Sequence, residues 1–200
     1  MKLFSRESAE QRFWRWFLEN SSRLFAFESD REKVFGELSK ALGRVHSGLT
    51  FEFGSVEEGQ REFIVSADGI KDRFPAVLRL VKAAPSMPQW IVIPFRPPKQ
   101  LEGLTTITFG EHRLGRDDIW FAAEPDGPCI GLTICIRGLT EDNREALGGA
   151  AFILLDSALG EYAVEMQVGF VDLQPLPDDP RSAGLRPFVE IREVFDTTTH

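Results

Sequence analysis

The fold of this chain is decided by residues 49–69, LTFEFGSVEEGQREFIVSADG. Apolar side chains stand at every second position on both sides of the turn at 57–60, at Leu49, Phe51 and Phe53 and again at Phe63, Val65 and Ala67. A period of two is typical of a β-strand that buries one face. The segment therefore predicts an antiparallel hairpin that ends at Asp68-Gly69.

A helix and a third strand complete this unit. The apolar residues from Ile70 to Val81 have the spacing of an amphipathic helix, and Pro75 is tolerated in its first turn. Trp90–Phe95 then predicts a strand. Pro94 predicts that this strand lies at the edge of a sheet or contains a bulge, because proline has no N–H to donate. The predicted order over 49–98 is thus ββαβ.

The same order of elements returns over 118–174. Alternating apolar residues predict strands at 119–123 and 130–136, a helix begins after Thr140 and ends at Gly160, and Tyr162–Phe170 predicts the third strand. Leu49 corresponds to Asp118, 69 residues further on, and Ile70 to Glu141, 71 residues further on. Two interpretations stay open: an internal duplication, or the chance recurrence of a common order, since the two segments share almost no identical residues.

Two helices are predicted before the first strand. Ser8 with Gln11 predicts a capping box at the start of the first helix, which breaks near Asn20. Ser29 with Glu32 predicts a second capping box, at the start of a helix from about Asp30 to Val45.

The remaining segments predict a small hairpin at Leu104–Leu114, a loop from Pro175 to Gly184, a strand at Pro187–Phe195 and a frayed tail after it. The predicted fold class is α+β, with a mixed, mainly antiparallel sheet and helices on one face. We expect a single domain over 1–200: N-terminal helices at 1–46, ββαβ units at 49–98 and 118–174, and a loop, strand and tail at 175–200.

Composition argues against several classes of protein. The chain has 31 acidic and 23 basic residues, and its net charge of -8 repels a nucleic-acid backbone. A basic partner protein is compatible with this charge. Cys129 and Cys135 are too close along one predicted strand to pair, and reduced thiols indicate the cytoplasm. The longest apolar block, 148–155, is far below the ~20 residues of a membrane-spanning helix. We therefore expect no nucleic-acid and no membrane partner.

Few residues carry recognisable chemistry. The histidines are His46, His112 and His200, and none has the spacing of a metal ligand, so we expect neither a metal nor a cofactor. A carboxylate from Asp68, Asp156 or Glu161 would form an acid–base pair with His112 if these groups converged in the fold. Each carboxylate also fits a solvated or turn-forming role, and no catalytic residue is assigned.

Cys135 has two interpretations of its own. It could act as a nucleophile, which would require a base nearby. A small, partly buried thiol is the alternative, and no base lies within local reach along its predicted strand.

The sheet face opposite the helices is the candidate binding surface. The binding residues predicted there are Glu52, Arg137, Gln167, Trp90 and Trp120, and the two tryptophans fit either this face or the core. Polar faces that carry aromatic and arginine side chains are typical of recognition surfaces. Plain solvation of one side of an antiparallel sheet gives the same pattern.

Three motifs resemble uncharacterised bacterial proteins of unknown function: Phe63-Ile64-Val65-Ser66-Ala67-Asp68-Gly69, Trp90–Phe95 with Arg96-Pro97, and Leu159-Gly160-Glu161-Tyr162. The resemblance covers about half of the chain and implies no activity and no functional residues. The sequence therefore predicts a non-enzymatic binding or protein-interaction module that takes a protein partner or a small ligand. A small hydrolase with carboxylate and histidine chemistry is the alternative.

Overall fold

A computed structural model describes residues 7–99, 106–109 and 112–196 and confirms the α+β class. The described helices are α1 Ala9–Glu19, α2 Ser21–Phe25, α3 Arg31–Gly43, α4 Phe74–Lys82, α5 Arg144–Leu159, α6 Glu161–Gln167 and α7 Ile191–Asp196. The described strands are β1 Thr50–Glu57, β2 Gln60–Ser66, β3 Trp90–Pro94, β4 Thr106–Phe109, β5 His112–Gly115, β6 Ile119–Asp126, β7 Cys129–Ile136, β8 Val168–Pro175 and β9 Arg186–Pro187. Contacts divide the chain into two compact units, Met1–Arg96 and Pro97–His200. The single domain over 1–200 stays a prediction.

The N-terminal helices form largely as predicted. Ser8 Oγ accepts from the Gln11 N–H at 3.2 Å and Gln11 Oε1 accepts from the Ser8 N–H at 2.9 Å, so the first capping box is confirmed. The chain breaks at Asn20, between α1 and α2, as expected. The second capping box is wrong, because the Ser29 hydroxyl donates backwards to the Ala26 carbonyl at 2.9 Å and lies in a short 3-10 turn.

The first unit has one mixed sheet with helices on one face. Its strand order is β1-β2-β3, with β1 antiparallel and β3 parallel to β2, so Pro94 lies on an edge strand as predicted. Phe63 and Val65 of β2 point into a core that also buries the predicted α3 stripe. Aromatic rings dominate this core, at Phe13, Trp14, Phe17, Phe63 and Trp90.

The second unit contains a four-stranded sheet, in the order β8-β7-β6-β9. Strand β6 is antiparallel to β7, and β8 is parallel to β7. Both units therefore share the ββαβ strand order and directions, whereas common ancestry by duplication is not confirmed. Strands β4 and β5 pair as the predicted hairpin, but its tip at Gly110 lies outside the described residues.

The strand predicted at Tyr162–Phe170 is wrong over its first half. Gly160, with φ +83° and ψ 151°, ends α5, and a new helix, α6, starts at Glu161 with an axis bent by 105°. Tyr162 and Met166 are exposed while Ala163 and Val164 pack on the core, which is a helical distribution rather than a strand alternation. The strand β8 begins only at Val168.

Two further boundaries differ from the prediction. Phe188, Ile191 and Phe195 are buried at spacings of three and four, so this segment forms a 3-10 turn and α7 instead of a strand. Helix α5 begins at Arg144 rather than after Thr140, because the Asn143 side chain closes a turn by accepting from the Thr140 N–H at 2.8 Å.

Within the described residues, no single helix is long and apolar enough to cross a membrane. Helices α5 and α6 reach the required length and hydropathy only as a pair, across their 105° bend.

Candidate functional site

Two of the predicted binding residues, Glu52 and Trp90, lie in the first unit. Trp90 is 5% exposed, and its ring centroid lies 4.9 Å from that of Phe17. Its indole N–H donates to Ser21 Oγ at 2.8 Å. Trp90 is therefore a core residue. Glu52 pairs with Ile64 in the ladder and faces away from the helices, as predicted.

Glu52 belongs to an ion-pair cluster at the ends of β2 and β3. Arg96 Nε lies 2.6 Å from Glu52 Oε1, and Arg96 Nη2 lies 2.8 Å from Asp68 Oδ1. Asp68 has a left-handed backbone, φ 58°, and donates its N–H to the buried Ser66 hydroxyl at 2.9 Å. Arg96 thus holds two carboxylates together, and the cluster joins β1 to the ends of both parallel strands.

The other three predicted residues lie in the second unit. Trp120 is half-buried beside Cys135 on the open sheet face, and its indole N–H donates to the Asp117 carbonyl at 3.1 Å. Arg137 Nε lies 2.8 Å from Asp118 Oδ1. Gln167 is the last residue of α6, so its predicted place on a strand face is wrong. It lines a cavity of about 170 Å³ beside Arg192 instead.

The groups named for a hydrolase do not form a described acid–base site. Asp68 lies in the first unit and is held by Arg96, whereas Asp156 and Glu161 lie at the α5–α6 junction of the second unit. Glu161 is fully buried. The side chain of His112 lies outside the described part of the structure. Among the residues that the structure describes, no group of three or more His, Cys, Asp or Glu side chains could hold a metal ion.

The Cys135 thiol is buried in the middle of a sheet, with 5% of the residue exposed. Burial raises the pKa of the Cys135 thiol above its ordinary value, and the Asp172 carboxylate raises this pKa further. A raised pKa reduces the thiolate fraction at neutral pH, so the geometry supports the buried-thiol interpretation.

The surface that sequence reasoning missed surrounds strand β8. Half of the ten exposed large apolar side chains in the described chain fall within residues 152–170. We call these five side chains the β8 surface: Phe152, Ile153, Tyr162, Met166 and Phe170. They come from α5, α6 and β8, and their exposed fractions range from 38% to 53%. Exposed apolar groups concentrated in one region mark interaction sites more often than scattered ones.

A groove runs through this surface along β8. Its volume is about 190 Å³, and its walls are Phe152 of α5, Val164 and Glu165 of α6, and Val168 to Val171 of β8. Among the described residues, β8 is a terminal strand that pairs only with β7. The outer main-chain groups of a terminal strand remain open to a further strand.

Two glycines shape the strand at this groove. A Cβ at Gly131 of β7 would overlap the Phe170 ring, so the missing side chain lets that ring lie across the neighbouring strand. A Cβ at Gly169 would overlap the Asp126 carboxylate. The register also shifts here, because Ile130 pairs with Val168 but Gly131 pairs with Phe170. The extra residue is a β-bulge, which reorients side chains at sheet edges.

The charged side chain that lines the groove is acidic, and so are the charged residues in the surrounding sequence. Residues 145–180 contain seven Asp or Glu and no Lys or Arg. Glu165 lines the groove, Asp172 is exposed on β8, and Asp126 lies against Gly169. Arg144 reaches β8 only beyond this region, where its Nη1 donates to the Leu173 carbonyl at 3.0 Å. The sequence signal for the β8 surface is the stretch 145–180, which has no basic residue and contains several aromatic side chains.

The chain matches no protein-family model, no curated protein and no solved structure, so its function rests on its own geometry.

Proposed function

We propose that this chain is a non-enzymatic binding protein that adds an extended, basic segment of a partner protein to strand β8. The observation that carries the proposal is the groove along the terminal strand β8, which two exposed aromatic side chains of the β8 surface, Phe152 and Phe170, line. An extended peptide can hydrogen-bond to such an edge through its main chain and place alternate side chains in neighbouring pockets.

The groove and its charges define the partner segment. An apolar partner side chain would lie in the groove that Phe152 and Phe170 line, where it would be removed from water. The residues next to it in the partner would be Lys or Arg, because Glu165 lines the groove and Asp172 is exposed on β8. The preferred segment therefore alternates apolar and basic residues.

The net charge of -8 supports a basic protein partner over a nucleic acid. A cytoplasmic location belongs to the same proposal, and the two free thiols, Cys129 and Cys135, fit a reducing compartment. A hydrolase gains no support, since Asp68 is engaged by Arg96 and Glu161 is buried.

Selection from a random peptide library against the full chain tests the proposal. We expect enriched peptides that alternate apolar with basic residues, and we expect their affinity to fall as salt is raised. The variant Phe152→Ser should weaken binding about tenfold or more, because truncating a central aromatic at an interface costs on the order of 2 kcal/mol.

Leu78→Ser is the matched control, because Leu78 and Phe152 are both 48% exposed and Leu78 lies in the first unit. The control should bind the peptides like the original chain. Failure to enrich any peptide, enrichment of acidic peptides, or equal weakening by both variants would refute the proposal. Hydrogen exchange adds a second readout, since bound peptide should protect amides of residues 168–172.

A further inference from the structure

The first unit contains a cleft between α1 and α3 whose charged lining residues are mostly basic. Its volume is about 250 Å³, and three arginines line it: Arg12 and Arg15 from α1, and Arg44 at the end of α3. We call it the arginine cleft. Glu19 is the one acidic residue among its lining side chains. Three guanidinium groups in a chain of net charge -8 concentrate positive potential at this point.

The guanidinium groups of the arginine cleft keep most of their donors available. Arg12 Nη1 donates to the Glu7 carbonyl at 2.5 Å, and Arg15 Nη1 lies 2.9 Å from the Glu7 carboxylate. Both arginines are exposed. Arg44 is also exposed, and its side chain has no hydrogen bond or ion pair within the described part of the chain. Each guanidinium has five N–H donors arranged for oxyanions, so these contacts leave several for a ligand.

An aromatic wall gives the cleft a second feature. Trp16 lines it half-buried, and its ring centroid lies 6.3 Å from that of the buried Phe13. The Trp16 ring is therefore braced from one side while it remains partly accessible on another. Indole faces stack on flat rings, and the surrounding arginines hold the charged part of such a molecule.

We infer that the arginine cleft binds a small molecule in which a phosphate or carboxylate is attached to a flat ring. The oxyanion lies against Arg12, Arg15 and Arg44, and the ring lies on Trp16. The volume is slightly below the ~300–1,000 Å³ of drug-sized pockets, which fits a mononucleotide-sized molecule or smaller rather than a dinucleotide. This site is separate in the chain from the β8 surface and does not depend on the proposed function.

Isothermal titration of the full chain with four probes tests the inference: AMP, adenosine, inorganic phosphate and benzoate. We expect AMP or benzoate, which join an oxyanion to a ring, to bind more tightly than adenosine or phosphate, which each carry one part. The AMP and benzoate arms decide between a phosphate and a carboxylate. Single-stranded oligoadenylate is a further arm, and tighter binding of it than of AMP would overturn the small-molecule assignment.

Variants of the cleft complete the test. Arg44→Gln and Arg15→Gln should each weaken the preferred probe about tenfold, as expected for the loss of a charge-assisted contact. Trp16→Leu should weaken the ring-bearing probe but leave phosphate unaffected. Arg116→Gln is the control, because it removes the same charge from an exposed residue of the second unit.

The inference is overturned if no probe binds at millimolar concentration, if Arg44→Gln binds like the original chain, or if Arg116→Gln weakens binding as much as the cleft variants. Thermal unfolding of each variant shows whether a loss comes from misfolding. Because Arg15 and Arg44 are both exposed, we expect their variants to unfold within a few degrees of the original chain.

Discussion

The contact between Gly131 and Phe170 leads to a sharp prediction about the strand that bears the proposed site. The substitution Gly131→Ala puts a Cβ where the Phe170 ring lies, and no positive φ at Gly131 opposes an alanine. Because the overlapping atoms belong to the far end of the Phe170 ring, the ring should swing away from the sheet while the backbone stays in place. The substitution therefore exchanges a ring contact for a methyl group.

Two opposing effects on the free energy of unfolding follow from this substitution: the loss of the Phe170 ring contact and the smaller backbone entropy of alanine in the unfolded chain. Phe170 is 39% exposed, so roughly three fifths of it is covered. Complete burial of a phenylalanine is worth about 1.5–3 kcal/mol, so displacement of the ring should cost about 1–2 kcal/mol. Replacing a strand glycine by alanine recovers about 0.5–1 kcal/mol of backbone entropy. Gly131→Ala should therefore lower the free energy of unfolding by about 0.5–1 kcal/mol.

A double-mutant cycle separates these two terms. In a Phe170→Ala background the ring is absent, so Gly131→Ala should raise the free energy of unfolding by about 0.5–1 kcal/mol. Gly131→Ala is thus expected to destabilise the original chain and to stabilise the Phe170→Ala variant. Urea unfolding followed by circular dichroism measures all four proteins. An alanine effect of the same sign and size in both backgrounds would refute the proposed packing of Phe170 on Gly131.

Two further predictions concern the two cores. Leu38→Ala should lower the free energy of unfolding by about 2–5 kcal/mol, because Leu38 is fully buried. The control Leu18→Ala, at a site that is 49% exposed, should change this free energy by less than about 0.5 kcal/mol. Equal unfolding midpoints for the two variants would contradict the predicted α3 stripe. Cys135 should react with thiol reagents much more slowly than the half-buried Cys129 at pH 7, and its rate should rise only in alkaline solution, since burial and Asp172 both raise its pKa. Rapid, stoichiometric labelling of Cys135 in the folded chain, identified by mass spectrometry, would restore the nucleophile interpretation.

Elements with a long, unbroken period were predictable from the sequence. Helix α3 repeats apolar residues from Val34 to Leu42 over more than two turns, and β1 and β2 each place an apolar residue at every second position on the core face, on either side of a turn at Glu58-Gly59. In both cases the buried face follows from the period alone, since each element packs one side on the core.

The wrong elements are short and follow a sharp change of direction. In Tyr162–Phe170 the apolar residues at every second position also include pairs four apart, so a two-turn helix and a strand fit equally well. The helix forms because Gly160, which has a positive φ, ends α5 and lets α6 start in a new direction. Phe188, Ile191 and Phe195 present the same ambiguity, and contact with the second core decides in favour of a helix.

The functional surfaces were harder to predict because exposure is a tertiary property. Phe152 and Leu155 lie on the same apolar helix, yet one is 48% exposed and the other fully buried. Arg12, Arg15 and Arg44 are brought together by the packing of α1 against α3, and no run of basic residues marks them in the sequence. A charge count along the chain does not locate the cleft.

The two edges of the second sheet differ in a way that bears on function. On the β6 side, the two-residue strand β9 pairs with Trp120 and Phe121 and covers that part of the edge. The β8 edge pairs with no strand in the described chain, and β8 carries no lysine that would discourage a further strand. Proteins usually protect exposed strand edges with lysine, proline or a covering segment, because open edges aggregate.

On β8 the one proline, Pro175, stands at the last position, and the bulge at Gly169 lies beside the groove. The edge from Val168 to Val171 is therefore apolar, and its protection comes from the bulge and from nearby negative charge. Negative charge repels a second copy of this acidic chain, whereas it attracts a basic segment. We therefore expect the same residues to disfavour self-association and to favour the basic partner that we propose.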